Sequence, residues 1–165
     1  MLEQWEIAAS AEEVHALLGA SDAYAAERHG LPVPRRNMDS SRGLVEAGVV
    51  RMLRVDGEPA AMFTLTWKPT FTAEPGVFPP ARRPVYLQRL AVRPEFVTGG
   101  RMLGLMCMRK AMEEAAGMGA DALRAETNPD LGAVVQVLES YGFRRYGEVE
   151  TDGWMRRVRF QYDLA

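Results

Sequence analysis

One cysteine, Cys107, occurs in 165 residues. That excludes an internal disulfide and a cysteine-based zinc cluster, and it fits a reducing, cytoplasmic setting. The only histidines are His15 and His29. They are far apart and lack metal-ligand spacing, so a surface role is expected for each and no metal site is expected. No apolar run is long enough to span a membrane. The opening MLEQWEIAAS has no basic stretch followed by an apolar one, so no signal peptide is expected. A basic excess is also missing. The formal net charge of -2 argues against a general nucleic-acid binder. Repeats, low-complexity runs and a clear domain boundary are absent too. Residues 1–165 therefore read as a single domain, long enough for a sizeable core.

What is present is a clear alternation of strand and helix patterns. QWEIAAS reads as a strand. Ser10 with Glu13 forms a capping box before a helix through AEEVHALLGASDAYAAERHG, with a break expected near Gly19. LPVPRRNMDSSRG reads as a loop. GVVRMLRVDGEPAAMFTLTW is a hairpin about Asp56-Gly57. Residues 68–84, with five prolines, form a long loop that is either an inert insertion or the border of a functional cleft. VYLQRLAV is a strand, and the apolar residues from Met102 to Ala115 mark a largely buried helix. DALRAET, DLGAVVQVLES, FRRYGEV and VRFQYDL follow as strand, helix and two strands, the last two joined at Asp152-Gly153. The order implies a mixed-sheet α/β domain with some parallel pairing in its second half.

The stretch VRPEFVTGGRMLGLMCMRKAMEEA passes from a strand end to a helix through Gly99-Gly100. Helix N-termini leave backbone N–H groups unpaired and favour negative charge, and glycines admit close approach of a ligand. A phosphate is the physical candidate. A tight connection without ligand is the alternative.

Three segments in order resemble the GCN5-related N-acetyltransferases: YLQRLAV, VTGGRMLGLMCM and LRAETNPDLGAVVQVLESYGF. They are similar to that family's fourth strand, its pyrophosphate loop, and its fifth strand, fourth helix and Gly-Phe corner. The resemblance implies a mixed, mostly antiparallel sheet with a V-shaped split between the fourth and fifth strands, flanked by helices. It implies acetyl-CoA as co-substrate and no metal. The backbone of Leu90, Ala91 and Val92 would pair with the pantetheine arm. The nest of Thr98, Gly99, Gly100, Arg101, Met102 and Leu103 would take the pyrophosphate. The match departs from the family pattern at Val97, in place of Gln or Arg, and at Met102, in place of Gly or Ala.

Amine attack on a thioester calls for a base, a backbone donor and an acid. Gln88 stands where the family often has its strand glutamate, and a carboxamide takes no proton at neutral pH. Leu138 stands where a tyrosine acid is usual. Leu131 and Val134 replace an Asn and a Ser of the ribosomal-protein N-terminal acetyltransferase branch, leaving Asn128 as a displaced substitute. By the placement of the base in some N-terminal acetyltransferases, Glu126 is the candidate base, against the plain reading of a salt-bridged strand glutamate. Tyr141 is a weaker acid candidate, and Tyr24, Tyr86 and Tyr146 are unranked. The implied partner is a small-molecule amine or a peptide N-terminus, with neither nucleic acid nor membrane, and a homodimer is compatible. The basic balance around Arg35 and Arg36 leans toward an acceptor with a carboxylate. The alternative function is a CoA-binding, catalytically weak sensor or interaction module.

Overall fold

The structure, a computed structural model, describes residues 2–69, 76–97 and 102–164. The first strand β1 (Glu3–Ile7) leads into α1 (Ala11–His29). Ser10 caps α1, its hydroxyl accepting from Glu13 N–H at 3.2 Å. The reciprocal half of the expected capping box is missing. The Glu13 carboxylate accepts from Arg54 instead, in an ion pair at 2.5 Å. Gly19 does not break the helix; α1 is continuous to His29 and ends on Gly30 in the left-handed region. Val14, Leu17 and Leu18 form its buried face. Burying each such side chain is worth about 1.5–3 kcal/mol.

The segment read as a loop contains a further helix, α2 (Met38–Glu46), capped by the Asn37 side chain at Asp39 N–H. β2 (Val50–Val55) and β3 (Glu58–Thr66) form the expected hairpin. Asp56 (φ 51) and Gly57 (φ 84) both take positive φ, as a two-residue primed turn requires. β4 (Pro84–Val92) is followed by a short helix not foreseen in the sequence, α3 (Pro94–Val97), and then by α4 (Leu103–Gly117). A stripe of buried residues in α4 falls every four positions, at Leu103, Cys107, Ala111 and Ala115, with Met108 buried beside it. Met102 does not belong to that stripe. It lies just ahead of the helix and is 65% exposed.

β5 (Ala122–Thr127), α5 (Gly132–Ser140), β6 (Arg144–Asp152) and β7 (Met155–Asp163) complete the chain. The last turn is Gly153-Trp154, one residue beyond the expected place, because Asp152 pairs with Met155 inside the ladder. The strands form one sheet in the order β1-β2-β3-β4-β5-β7-β6. β4 and β5 are parallel, and the other described pairs are antiparallel. This is the mixed, mostly antiparallel α/β architecture expected. The β4–β5 ladder covers Pro84–Leu87 against Ala122–Ala125, and each strand then runs on, to Val92 and to Thr127.

By its contacts the chain forms two compact units. One comprises Met1–Thr64 and Arg89–Lys110, the other Leu65–Gln88 and Ala111–Ala165. The core of the first gathers Val14, Leu17 and Leu18 with Val50, Met52, Met62 and Ala91. In the second, Leu123, Val158 and Phe160 are fully buried. Asp121 there accepts from the Arg82 and Arg83 N–H groups, which fastens the approach to β4 beside β5. Among the described residues no helix is long and apolar enough to cross a membrane.

Candidate functional site

The first unit carries the second half of β4. Its burial does not alternate as a regular strand does. Val85, Tyr86 and Leu87 are all buried, while Gln88, Arg89 and Leu90 are half-buried. The irregularity centres on Arg89, which holds φ 52. A non-glycine residue in that region is strained, and such kinks re-aim side chains and end pairing. Beyond it come Leu90, Ala91 and Val92, of which only Ala91 is buried. Arg93 fixes the strand end: its N–H donates to Ala60 O at 2.8 Å and its guanidinium to Pro59 O at 3.1 Å.

The anion nest expected after Val92 is described only in part, because Thr98, Gly99, Gly100 and Arg101 lie outside the described residues. What is described fits a ligand at the start of α4. Met102 is left-handed (φ 54), and its carbonyl accepts from Met106 N–H, which makes it the residue that opens the helix. Among the described residues, a Cβ on Gly104 would meet nothing nearer than Val92 Cγ2 at 4.0 Å. Backbone N–H groups in a helix's first turn have no helical acceptor, which suits a phosphate.

A polar cluster that the sequence did not announce sits on the same unit. Arg89 donates through Nη1 to Ser41 Oγ at 3.1 Å, and His15 Nδ1 lies 3.2 Å from the same hydroxyl. Ser41 is fully buried in α2 and His15 is half-buried, so His15 is not the plain surface residue expected. Arg36 is an exposed loop cation that forks onto Asp22 at 2.8 and 3.1 Å. Burial holds the Arg89 guanidinium below its ordinary pKa. The like charge of Arg36 acts the same way, and Asp22 opposes it.

The second unit carries Glu126, Asn128 and Tyr141. Glu126 on β5 stands directly opposite Arg159 on β7. The Arg159 side chain is 1% exposed and reaches Glu126 Oε2 at 3.1 Å and Glu150 Oε2 at 2.9 Å. Glu126 Oε2 is buried and receives no well-directed hydrogen bond, so its tie to Arg159 is a charge contact. Burial raises the Glu126 pKa and outweighs the lowering by Arg159 and Arg157, while Glu150 adds to the rise. Asn128 spends its side-chain oxygen on Asp130 N–H at 2.8 Å, inside its own turn. Leu131 begins α5 without a side-chain cap, and Leu138 is buried at 3% exposure. Tyr141 ends α5, its N–H donating to Val137 O and Leu138 O, and its ring is half-buried. Gln88 donates to Thr66 Oγ1 at 2.9 Å, the polar contact expected of it. Among the other tyrosines, Tyr86 accepts from Arg124 at 2.8 Å and Tyr24 from Arg28 at 3.1 Å.

Residues 76–83 of the proline-rich loop are tied down. Arg124 donates to Pro79 O at 2.8 Å and lies 4.5 Å over the Phe78 ring, and a Cβ on Gly147 would stand 3.2 Å from Val77. The sequence-derived site residues thus fall into two groups, one in each unit. Among the described residues, no group of His, Cys, Asp and Glu could hold a metal ion.

No protein-family model and no curated protein matches the chain. Solved structures match along nearly its whole length. A GNAT-family acetyltransferase from Listeria monocytogenes 4b F2365 superposes with a TM-score of 0.76 at 16% identity, over 98% of this chain and 95% of that one. A ribosomal-protein-alanine N-acetyltransferase from Brucella melitensis gives 0.71 at 16%, over 99% and 100%. A Salmonella typhimurium protein solved with its cofactor acetyl-CoA gives 0.68 at 16%, over 100% and 95%. The chain has the fold of the GCN5-related N-acetyltransferases.

Proposed function

We propose that residues 1–165 form one acetyl-CoA-dependent N-acetyltransferase domain that acts on the amine of a small molecule or a protein N-terminus. The observation that carries this reading is the course of β4. The strand leaves its ladder with β5 after Leu87, turns left-handed at Arg89 and ends at a helix start opened by Met102 and Gly104, within a fold shared end to end with acetyltransferases. Acetyl-CoA supplies the acyl group as an activated thioester. Leu90, Ala91 and Val92 offer backbone groups to its pantetheine arm, and the start of α4 offers N–H groups to its pyrophosphate. In the net reaction the neutral amine forms a C–N bond to the acetyl carbon, the C–S bond breaks, and the proton lost by the amine ends on the CoA sulfur, which leaves as thiol.

Glu126 is the residue proposed to take that proton, directly or through a water. Burial raises its pKa, which makes it a better proton acceptor than an ordinary carboxylate, and Arg159 stands opposite it. Calorimetry with acetyl-CoA tests the cofactor, with a Kd in the micromolar range expected; no binding at millimolar ligand overturns the reading. For the base, Glu126→Gln is expected to lower kcat/KM by about 10²–10⁴-fold with acetyl-CoA affinity unchanged. Near-normal activity at neutral pH would remove Glu126 from the mechanism.

A second reading has support of its own. Leu131 and Leu138 put apolar side chains where related acetyltransferases carry polar ones, and Leu138 is buried in the core. A chain that binds CoA but transfers slowly fits that composition. Micromolar acetyl-CoA binding with no thiol release across a broad set of amines would select it.

A further inference from the structure

We infer that Arg89 is the anchor for a carboxylate on the acceptor, so that the acceptor is an amino acid or a similar carboxylate-bearing amine; this rests on the acetyltransferase reading. Charge in the cluster is unbalanced. Two guanidinium groups, Arg36 and Arg89, accompany one carboxylate, Asp22, and Arg36 holds it through both nitrogens. Among the described residues no carboxylate lies within ion-pair distance of Arg89, whose protein contact is the neutral hydroxyl of Ser41. A half-buried guanidinium loses hydration and, without an anion, gains little in return. Arginines in such settings are normally paired, as Arg159 is in this chain.

The geometry points to a ligand and not to a packing role. Arg89 occupies a strained left-handed position, and a kink of that kind re-aims the side chain it carries. Ser41, pinned from its other side by His15, holds one Nη and leaves the remaining donors of the fork for a partner. A planar carboxylate matches that fork in shape, and its single charge matches the surplus of one cation. A phosphate dianion would exceed it. Position agrees with this. With the pyrophosphate after Val92 and the pantetheine arm along Leu90–Val92, the thioester end points upstream along β4, toward Arg89.

The test compares acetyl transfer to α-, β- and γ-amino acids with transfer to their amides. The wild-type protein should favour the acids, and Arg89→Asn should bring the acid-to-amide ratio of kcat/KM close to one. Asn tolerates positive φ, so this variant removes the charge without adding strain. The expected loss for acids is about 10–100-fold, the low end for truncating one partner of a charge pair, because Arg89 is only half-buried. Should Arg89→Asn fail to fold, Arg89→Lys keeps the charge, loses the fork and should lower the ratio; an unchanged ratio overturns the proposal. Equal use of acids and amides by the wild type also overturns it and leaves the transferase reading standing. If neither class is acetylated, calorimetry with the N-acetylated acids, their amides and inorganic phosphate decides the anion site. Binding of the acids alone, lost in Arg89→Asn, supports it. No binding, binding indifferent to the carboxylate or to Arg89, or tighter binding of phosphate overturns it.

Discussion

Two arginines of this chain meet their surroundings in opposite ways. Arg159 lies in the middle of the β5–β7–β6 ladder, almost fully buried, with a carboxylate on either side. Arg89 lies at a kink in β4, half-buried, against the Ser41 hydroxyl that His15 also contacts. The first is a closed unit in which the protein itself supplies the counter-charges to the cation. The second is open, and its balance must come from outside. A buried cation is therefore not by itself a sign of function; the inventory of its partners is what separates structure from recognition.

The sharpest way to break this comparison is to remove Arg159. Arg159→Met keeps an apolar stem of similar length but leaves Glu126 and Glu150 facing each other without a cation. Breaking a buried pair by deleting one partner costs about 3–5 kcal/mol. Chemical denaturation should show that loss at neutral pH. It should shrink as the pH falls and the two carboxylates protonate. Burial raises the Glu126 pKa, so its share of the loss begins to fade at a higher pH than it would for an unperturbed carboxylate. A loss under 1 kcal/mol would mean that the triad is not a structural unit.

Arg89→Asn sharpens the contrast from the other side. It removes one hydrogen bond to Ser41, worth about 0.5–1.5 kcal/mol, and it replaces arginine by a residue that suits positive φ better. The two changes oppose each other, so stability should move by less than about 1 kcal/mol while acceptor choice changes. An unfolding cost equal to that of Arg159→Met would make Arg89 a structural residue too.

The same contrast explains what could be read from the sequence. The hairpin at Asp56-Gly57, the Ser10 cap and the strand–helix order are local signals, and the structure carries each of them. α2 was hidden because LPVPRRNMDSSRG is rich in proline and serine, and the helix begins only after its prolines, at an Asn37 cap. The Glu126–Arg159 pair joins residues that only the β5–β7 register brings face to face. Arg89 had one legible mark, a charge inside the apolar strand YLQRLAV. Its left-handed backbone and its tie to Ser41 are tertiary facts with no local code.

The smallest expected effect concerns a third arginine, which bridges the two extremes. Arg54 is paired like Arg159 but only half-buried, contacting the more exposed Glu6 and Glu13 at 2.5 Å each. Glu13 is held below the ordinary carboxylate pKa, chiefly by the hydrogen bond from Arg54, with burial opposing. A carboxylate with a lowered folded-state pKa contributes stability that is present above its unfolded value and lost as pH falls through the folded one. Solvent screening limits such a pair to less than about 1 kcal/mol. Glu13→Gln should thus lower the unfolding midpoint slightly at pH 7, and less in high salt. The difference should vanish in acid, once Glu13 of the wild type is protonated in both states. A deficit that persists in acid would come from packing against α1 and not from charge, and would place the Arg54 cluster with the buried triad of Arg159 instead of between the two extremes.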